Sequence, residues 1–191
     1  MKRLFDLSFS IFLFIALIVP MLIVAVAIKI TSKGPIIFWS DRIGMNNKIF
    51  QMPKFRTMII DTPSLASHLL DNPETYLSPI GGFLRSTSLD ELPQLISVLK
   101  GDMSFVGPRP ALFNQDNLIA LRTEKGVDRL TPGITGWAQV NGRDQLTIED
   151  KVSFDEEYLL RKSFWFDIKI LGMTFFKVVR GTGCLLYTSD A

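Results

Sequence analysis

Apolar and polar residues are unevenly distributed along this chain, and the longest apolar run lies at its N-terminus. From Leu4 to Ile30 the only charged residues are Asp6 and Lys29. A helix needs about 20 apolar residues to cross the hydrocarbon core of a bilayer. This run has that length and is not followed by a small-residue cleavage site. We therefore predict a membrane-embedded helix over residues 1–32, rather than a removed signal peptide or the core helix of a soluble domain.

The orientation of this helix does not follow from its charges. Lys2 and Arg3 precede the apolar run, and Lys29 and Lys33 follow it, so the positive-inside rule favours neither direction. Pro20 lies near the middle, where it removes one helix hydrogen bond and bends the axis. A bent helix with basic residues at both ends suits re-entry through one membrane face. A spanning helix that tolerates the proline is the alternative.

Beyond residue 33 the pattern changes to that of a cytosolic domain, which we assign to residues 33–183. Residues 34–58 read as a β-hairpin with its turn at Gly44 to Asn47. Residues 61–80 are rich in turn residues and read as a loop with at most one short helix. Helices are predicted over residues 90–100, ended by Gly101, and over 111–125, 148–162 and 163–180. The second and third are joined by a glycine-rich loop, TPGITGWAQVNGRDQ.

The helix over residues 163–180 is apolar nearly all round but carries scattered charges, among them Asp167 and Lys169. Such a pattern suits an amphipathic helix in the membrane interface and equally a core helix. Together the elements indicate a mainly helical α+β protein. We expect a monotopic membrane protein with an N-terminal membrane-embedded, re-entrant helix, a small β-hairpin and interfacial amphipathic helices.

Composition removes several classes of function. A net charge of +2 over 191 residues gives no reason to expect nucleic acid as a partner. The single histidine, His68, leaves little room for histidine-based catalysis or a zinc site. The single cysteine, Cys184, allows no internal disulfide and fits a reducing compartment. It lies in a tail, residues 184–191, that has no periodicity and reads as non-native sequence.

Two adjacent acids, Asp90 and Glu91, open one predicted helix in the stretch RSTSLDELPQLISVLKGDM. In a structural interpretation Ser88 or Asp90 caps the helix and, with Asp90 as N-cap, Pro93 occupies the first turn, where its missing N–H is not needed. In a functional interpretation one carboxylate attacks phosphorus while the other holds a hard cation such as Mg²⁺. The two interpretations are compatible.

Several basic residues stand in rigid or glycine-rich surroundings and add weight to the functional interpretation. Arg109 lies between two prolines, and Arg143 ends the glycine-containing loop. Arg85 precedes the acids, and Lys54 and Arg56 lie in the predicted hairpin. Several cations near an acid pair suit a diphosphate. The sequence contains neither GxxxxGK[ST] nor GxGxxG, so the nucleotide folds that these motifs mark are not indicated.

The segments KRLFDL, KFRTM, RSTSLDELPQLISVLKGDMSFVGPRP, RLTPGITGWAQVNGR and SFWFDIKI occur in the order typical of one family. Together they resemble the bacterial sugar transferases, the monotopic polyprenol-phosphate phosphoglycosyl transferases, up to about residue 180. The short length resembles the small stand-alone members. This resemblance implies transfer of sugar-1-phosphate from a UDP-sugar to undecaprenyl phosphate with release of UMP. It also places the protein on the cytoplasmic face of the bacterial inner membrane.

The resemblance assigns roles to particular residues. It makes Asp90 the nucleophile of a phosphosugar-aspartyl intermediate and ties Glu91, with Asp90, to Mg²⁺. The family's re-entrant helix breaks at a Ser-Pro pair, and here that pair is Val19-Pro20. The expected substrate-binding residues are Lys54, Arg56, Arg85, Arg109, Pro110, Gln139, Arg143, Asp155 and Asp167.

We expect the sugar to be an N-acetylated hexosamine derivative, with UDP-glucose or UDP-galactose as the alternatives. A membrane-anchored binding or scaffold protein without activity is the competing hypothesis, although it gives no reason to keep both acids. A CDP-alcohol type of phosphotransferase would need a DxxDG motif, and the sequence has none.

Overall fold

The protein consists of one long N-terminal helix and a smaller α+β body. A computed structural model describes residues 1–60, 62, 72–142 and 145–179. The α-helices are α1 (Lys2–Thr31), α2 (Gly81–Ser86), α3 (Leu95–Lys100), α4 (Asp116–Glu124), α5 (Trp137–Asn141), α6 (Ile148–Arg161) and α7 (Phe164–Val179). The strands are β1 (Ile37–Ile43), β2 (Ile49–Phe55), β3 (Ser104–Val106) and β4 (Gly133–Thr135). Short 3₁₀ turns cover Met45–Asn47, Pro73–Tyr76, Leu89–Gln94 and Val127–Arg129.

Helix α1 is a single helical element of 30 residues that contains Pro20. It is long and apolar enough to cross a membrane, and only 11% of its most apolar 18-residue window is buried in the protein. A core helix of a soluble domain would be mostly covered by protein. The expected α+β fold with an apolar anchor helix is therefore confirmed, while re-entry stays a prediction.

The N-terminal end of α1 is bonded to the α+β body. The ammonium group of Lys2 donates to the Asp167 carboxylate at 2.7 Å, the Val106 carbonyl at 2.7 Å and the Tyr158 hydroxyl at 2.9 Å. Tyr158 in turn donates to Asp167 at 2.7 Å. Asp167 is 6% exposed and fully engaged in this network. One of its carboxylate oxygens accepts from Lys2 of α1 and the other from Tyr158 of α6, so its expected role in substrate binding stays a prediction without support in this geometry.

The C-terminal end of α1 is bonded to the body as well. Arg56 is 5% exposed, and its guanidinium donates to the Ser32 carbonyl at 3.2 Å, to the Ser32 hydroxyl at 2.8 Å and to the Lys33 carbonyl. The chain leaves the helix through Gly34 at φ +114°, where a side chain would collide with this guanidinium. Arg56 thus fastens the end of α1, and its expected role in substrate binding stays a prediction.

The predicted hairpin is confirmed. Strands β1 and β2 pair antiparallel, from Ile37 opposite Phe55 to Ile43 opposite Ile49, around a turn at Met45–Asn47. Because side chains alternate between the faces of a strand, the pairs Ser40–Met52 and Arg42–Phe50 share one face with Lys54. This shared face carries polar residues into the body of the protein.

A second, parallel pair of short strands was not expected. Strand β3 follows α3, and β4 lies within the predicted glycine-rich loop, with Ser104 opposite Gly133 and Val106 opposite Thr135. The same loop also contains α5. A side-chain carbon at Gly133 would lie 2.1 Å from the Gly107 nitrogen, so the glycines allow two backbones to approach each other closely.

Two predicted helices differ from the structure. Residues 90–100 form a 3₁₀ turn, Leu89–Gln94, followed by α3, and neither start has a side-chain cap; Asp90 as N-cap is therefore wrong. The end at Gly101, with φ +99°, is confirmed. The helix expected over residues 111–125 begins only at Asp116. The reason is that the Ala111 carbonyl accepts from Ile43 of β1, which holds this segment extended.

The helices predicted over residues 148–162 and 163–180 are confirmed as α6 and α7. Thr147 caps α6 by accepting from the Asp150 N–H at 3.1 Å. One face of α7 packs into the main core through Phe166 and Ile170, while Trp165 is 78% exposed on the other face. Residues 61, 63–71 and 180–191, which include His68, Cys184 and the predicted tail, lie outside the described residues.

Candidate active site

The acid pair stands on the 3₁₀ turn Leu89–Gln94, next to strand β2. The turn starts after Ser88, which has a left-handed backbone at φ 57°. Asp90 is 8% exposed, and the side chain of Glu91 is 16% exposed. Lys54 of β2 lies between them, with its ammonium nitrogen 2.9 Å from Glu91 Oε1 and 3.9 Å from Asp90 Oδ2. One cation therefore faces two adjacent, largely buried carboxylates.

Two arginines add positive charge to this cluster. Arg109 Nη2 lies 3.4 Å from Glu91 Oε1. Arg85 of α2 donates to the Thr57 hydroxyl at 2.9 Å, and its charge acts on Asp90. The structure thus brings Lys54, Arg85 and Arg109 close to the two acids. These three cations were expected from the sequence, and they come from three separate parts of the chain.

Burial is the largest influence on the ionisation of Asp90, and it raises the pKa of this carboxyl group above its ordinary value. Lys54 opposes this shift, the charge of Glu91 adds to it, and Arg85 and Arg109 oppose it more weakly. The cations thus offset part of the cost of an ionised carboxylate here. Such a group can serve as a nucleophile once it is deprotonated.

Arg109 is held from behind by a buried ion pair. Arg122 donates to Asp155 Oδ2 at 2.6 and 2.9 Å, and its third contact is to the Arg109 carbonyl at 2.8 Å. Asp155 is 1% exposed, so its expected contact with substrate has no support in this geometry. Asp155 and Arg122 instead fix the backbone of the proline-flanked arginine, which leaves the Arg109 side chain, 36% exposed, at the edge of the site.

The remaining predicted residues lie around this centre. Pro110 is buried, and its carbonyl accepts from Arg42 at 3.3 Å. Gln139 donates to the Ile134 carbonyl at 2.9 Å and so ties α5 to β4; among the described residues nothing hydrogen-bonds its buried Oε1. Arg143 lies outside the described residues, so its role stays a prediction.

Sequence reasoning missed two residues beside the acids. Arg42 of β1 donates to the Ser40 hydroxyl at 3.0 Å, and Gln94 closes the acid-bearing turn. Burial, with the charge of Arg109, lowers the pKa of Arg42 to about 10. Strand alternation was a usable signal, because it places Arg42 on the same hairpin face as Lys54. No comparable pattern marked Gln94.

The acid pair fits a magnesium ion that is shared with a substrate. Mg²⁺ is commonly held by one or two carboxylates together with substrate phosphates and water. In the described part of the chain no group of three or more His, Cys, Asp or Glu side chains is placed to hold a metal alone. Asp90 and Glu91 offer two carboxylates, so a metal here would need phosphate oxygens to complete its coordination.

Comparison with known proteins gives concordant results. The model of the bacterial sugar transferase family matches residues 1–181. An uncharacterized sugar transferase, EpsL, of Bacillus subtilis is 42% identical over 185 residues, covering 96% of this chain and 89% of EpsL. The undecaprenyl-phosphate glucose phosphotransferase of Komagataeibacter xylinus is 42% identical over 184 residues, covering 91% of this chain and 35% of that protein.

A third relative is the UDP-glucose:undecaprenyl-phosphate glucose-1-phosphate transferase of Escherichia coli, which is 42% identical over 174 residues. The alignment covers 86% of this chain and 37% of that protein. The chain therefore spans nearly all of EpsL but little more than a third of the two larger relatives.

Replacing the buried acid by its amide is expected to stabilise the protein. The folded-state pKa of Asp90 is raised, so its ionised form costs folding free energy at every pH above that value, and the cost vanishes below the ordinary pKa. Asp90→Asn should therefore raise Tm at pH 7.5, and this gain should vanish as the pH falls below the ordinary carboxyl pKa. Thermal unfolding in detergent measures this, with exposed Asp102→Asn as control. A lower Tm for Asp90→Asn than for wild type would contradict the raised pKa of Asp90 in the folded protein.

Proposed function

This chain belongs to the bacterial sugar transferase family, and we propose that it transfers sugar-1-phosphate from a UDP-sugar to undecaprenyl phosphate, releasing UMP. The observation that carries this proposal is the buried Asp90–Glu91 pair faced by Lys54, Arg85 and Arg109. A nucleophilic carboxylate next to several cations suits a diphosphate substrate, whose charge must be neutralised before an anion can attack it.

In the proposed first step an Asp90 carboxylate oxygen attacks the phosphorus that carries the sugar. The bond from this phosphorus to the bridging oxygen breaks, and the electron pair leaves with UMP. The sugar-1-phosphoryl group remains on Asp90 as an acyl phosphate. In the second step a phosphate oxygen of undecaprenyl phosphate attacks the same phosphorus. The bond to Asp90 breaks, which restores the carboxylate and forms undecaprenyl diphosphate sugar.

The surrounding cations have distinct tasks in this scheme. Lys54 contacts both acids and lowers the pKa of Asp90, so it favours the ionised nucleophile. Arg109, at the half-open edge and fixed through its backbone, is placed to pair with phosphate oxygens in a bidentate manner. Arg85 adds positive charge near Asp90. All three act by charge and orientation, which suits phosphoryl transfer.

We propose that Mg²⁺ binds between Glu91, Asp90 and the diphosphate. Such an ion, when bound, would neutralise charge on the leaving phosphate. Because Lys54 lies 2.9 Å from Glu91 Oε1, this contact must loosen or be shared when a metal binds. The cation requirement is therefore expected to depend on Glu91.

We propose an N-acetylated hexosamine derivative as the donor sugar. The names of the Komagataeibacter and Escherichia relatives specify glucose, which makes UDP-glucose the first alternative. A panel of UDP-sugars distinguishes these donors directly.

We further propose that α1 re-enters the membrane, so that both of its ends and the α+β body lie on the cytoplasmic face. Support comes from the two bonded ends: Lys2 reaches Asp167 and Tyr158, and Arg56 reaches Ser32. A helix fastened at both ends to one globular body cannot place those ends on opposite sides of a bilayer while the contacts persist. The exposed apolar face of α7 would then lie at the same interface.

The reaction itself is tested by release of UMP. Purified protein with undecaprenyl phosphate and Mg²⁺ should release UMP from at least one donor in a panel of UDP-N-acetylhexosamines, UDP-glucose and UDP-galactose. Asp90→Asn should lose at least 10³-fold of this rate, since the amide keeps the shape but cannot attack phosphorus. Hydroxylamine-labile labelling of wild type, but not of Asp90→Asn, by donor labelled in the sugar-bearing phosphate would identify the intermediate. Wild-type turnover in the variant would remove Asp90 as nucleophile, and no release with any donor would favour a scaffold.

The metal proposal predicts a specific defect in Glu91→Gln. The amide is a poorer ligand for a hard cation, so the Mg²⁺ concentration for half-maximal rate should rise more than tenfold, about 1.4 kcal/mol. A magnesium titration of the initial rate measures this. Glu156→Gln, which removes a carboxylate from the partly exposed pair with Lys125, is the matched control and should titrate like wild type. An unchanged magnesium response in Glu91→Gln would place the metal elsewhere.

Topology is tested by cysteine labelling in a Cys184→Ser background. Leu4→Cys, at an exposed position, reports the N-terminus, and Lys125→Cys reports the α+β body. With re-entry, a membrane-impermeant maleimide should label neither cysteine in intact spheroplasts and both after permeabilisation. Labelling of Leu4→Cys alone in intact spheroplasts would mean that α1 spans the membrane. Pro20→Leu should shift part of the population towards that pattern, because it restores a helix hydrogen bond at the bend.

A further inference from the structure

Gln94 is a largely buried residue on the acid-bearing turn. The residue is only 3% exposed, yet within the described part of the chain no backbone or side-chain group forms a hydrogen bond with its amide. The amide instead borders a small cavity beside the acid turn, lined by Arg42, Met52, Gln94, Arg109, Pro110 and Gly133. The Gln94 amide is therefore available to a ligand that enters this cavity.

The same cavity is strongly positive. Arg42 and Arg109 both line it, and their charges lie close enough to oppose each other, with Glu91 as the neighbouring acid. Arg42 uses its Nε on Ser40 and its Nη1 on the Pro110 carbonyl. Its Nη2 makes no hydrogen bond to any described residue. The cavity therefore offers an amide and guanidinium donors, next to the reacting carboxylate.

The size of the cavity limits which part of a ligand it can hold. The cavity is too small for a sugar ring or a base, so it suits oxygen atoms that extend from a larger ligand held at the open edge beside Arg109. We propose that Gln94 and Arg42 form a phosphate-oxygen subsite of the active site, in which the Gln94 amide N–H and the Arg42 guanidinium donate to one phosphate group. Gln94 and Arg42 are thus substrate-binding residues in addition to the acid pair.

This inference rests on the proposed function, which supplies two phosphates that could use the subsite. One is the phosphate of the departing UMP, and the other is the phosphate of the lipid acceptor. Both present the same anionic oxygens to the same donors. The two steps of the reaction separate them, because the first step and its reversal need no lipid.

Binding is measured first, without turnover. UMP and inorganic pyrophosphate should raise the Tm of wild type in a concentration-dependent manner. Gln94→Leu, similar in volume, breaks no hydrogen bond to a described residue, so it should keep the Tm of the free protein, while its Kd for UMP or pyrophosphate increases about tenfold. Gln94→Glu keeps the shape and adds a repelling charge, so it should lose the ligand-induced rise as well. Gln51→Leu, at an exposed position of β2, is the control and should match wild type.

Kinetics then identify which phosphate is bound. Exchange of labelled UMP into UDP-sugar, in the absence of lipid, reports the nucleotide step. A tenfold higher KM for UMP in Gln94→Leu and Arg42→Met assigns the subsite to the nucleotide. A normal exchange reaction with a raised KM for undecaprenyl phosphate assigns it to the lipid. Either result supports the subsite.

The subsite is overturned if Gln94→Leu and Gln94→Glu both keep ligand-induced Tm shifts and both KM values within twofold of wild type, as expected if the amide only binds a water. That outcome would leave UMP release by wild type, and hence the proposed function, intact. The opposite combination is also informative. If wild type releases no UMP from any donor but the Gln94 variants lose the UMP-induced rise in Tm, the anion site is supported and the transferase function is rejected.

Discussion

Two adjacent carboxylates in a largely buried position are the constraint on which the rest of this structure depends. Each carboxylate is costly to bury, and each disfavours the ionised form of the other. The charge of Asp90 and Glu91 is tolerable only because Lys54, Arg85 and Arg109 converge on them. These cations come from the hairpin, from α2 and from the loop after β3. The fold therefore has to join three short, separate elements closely, which explains two small sheets and many tight turns in place of one large sheet.

The anchor helix and the acid turn are mechanically close. Helix α3 begins directly after the acid-bearing turn, and its last carbonyls, Val98 and Leu99, accept hydrogen bonds from Arg3 of α1. Helix α3, six residues long, thus connects the N-terminal end of the apolar helix to the acid-bearing turn. In the proposed reaction, which joins a water-soluble donor to a lipid acceptor, this connection would fix the depth of Asp90 relative to the membrane surface.

Elements with strong periodicity or clear ends could be predicted from the sequence: the apolar helix, the hairpin, and helices α6 and α7. The parallel β3–β4 pair was missed because three-residue strands are shorter than any alternation pattern, and their pairing depends on close backbone contact at Gly107 and Gly133. Some charged residues in the family motifs do not lie beside the acids. Arg56 and Asp167 are anchors for α1, since burial and partners are decided by tertiary contacts.

The features that sequence reasoning missed are also those that make the free site unfavourable. Asp90 is buried with a raised pKa, and Gln94 is buried without a protein hydrogen bond. The guanidinium groups of Arg42 and Arg109 oppose each other. In the proposed subsite a phosphate would pair with the two arginines and accept from the Gln94 amide, which would relieve the repulsion between the guanidinium groups. Repulsion in the free protein would thus favour binding of a charged substrate, which an apolar site of the same size could not provide.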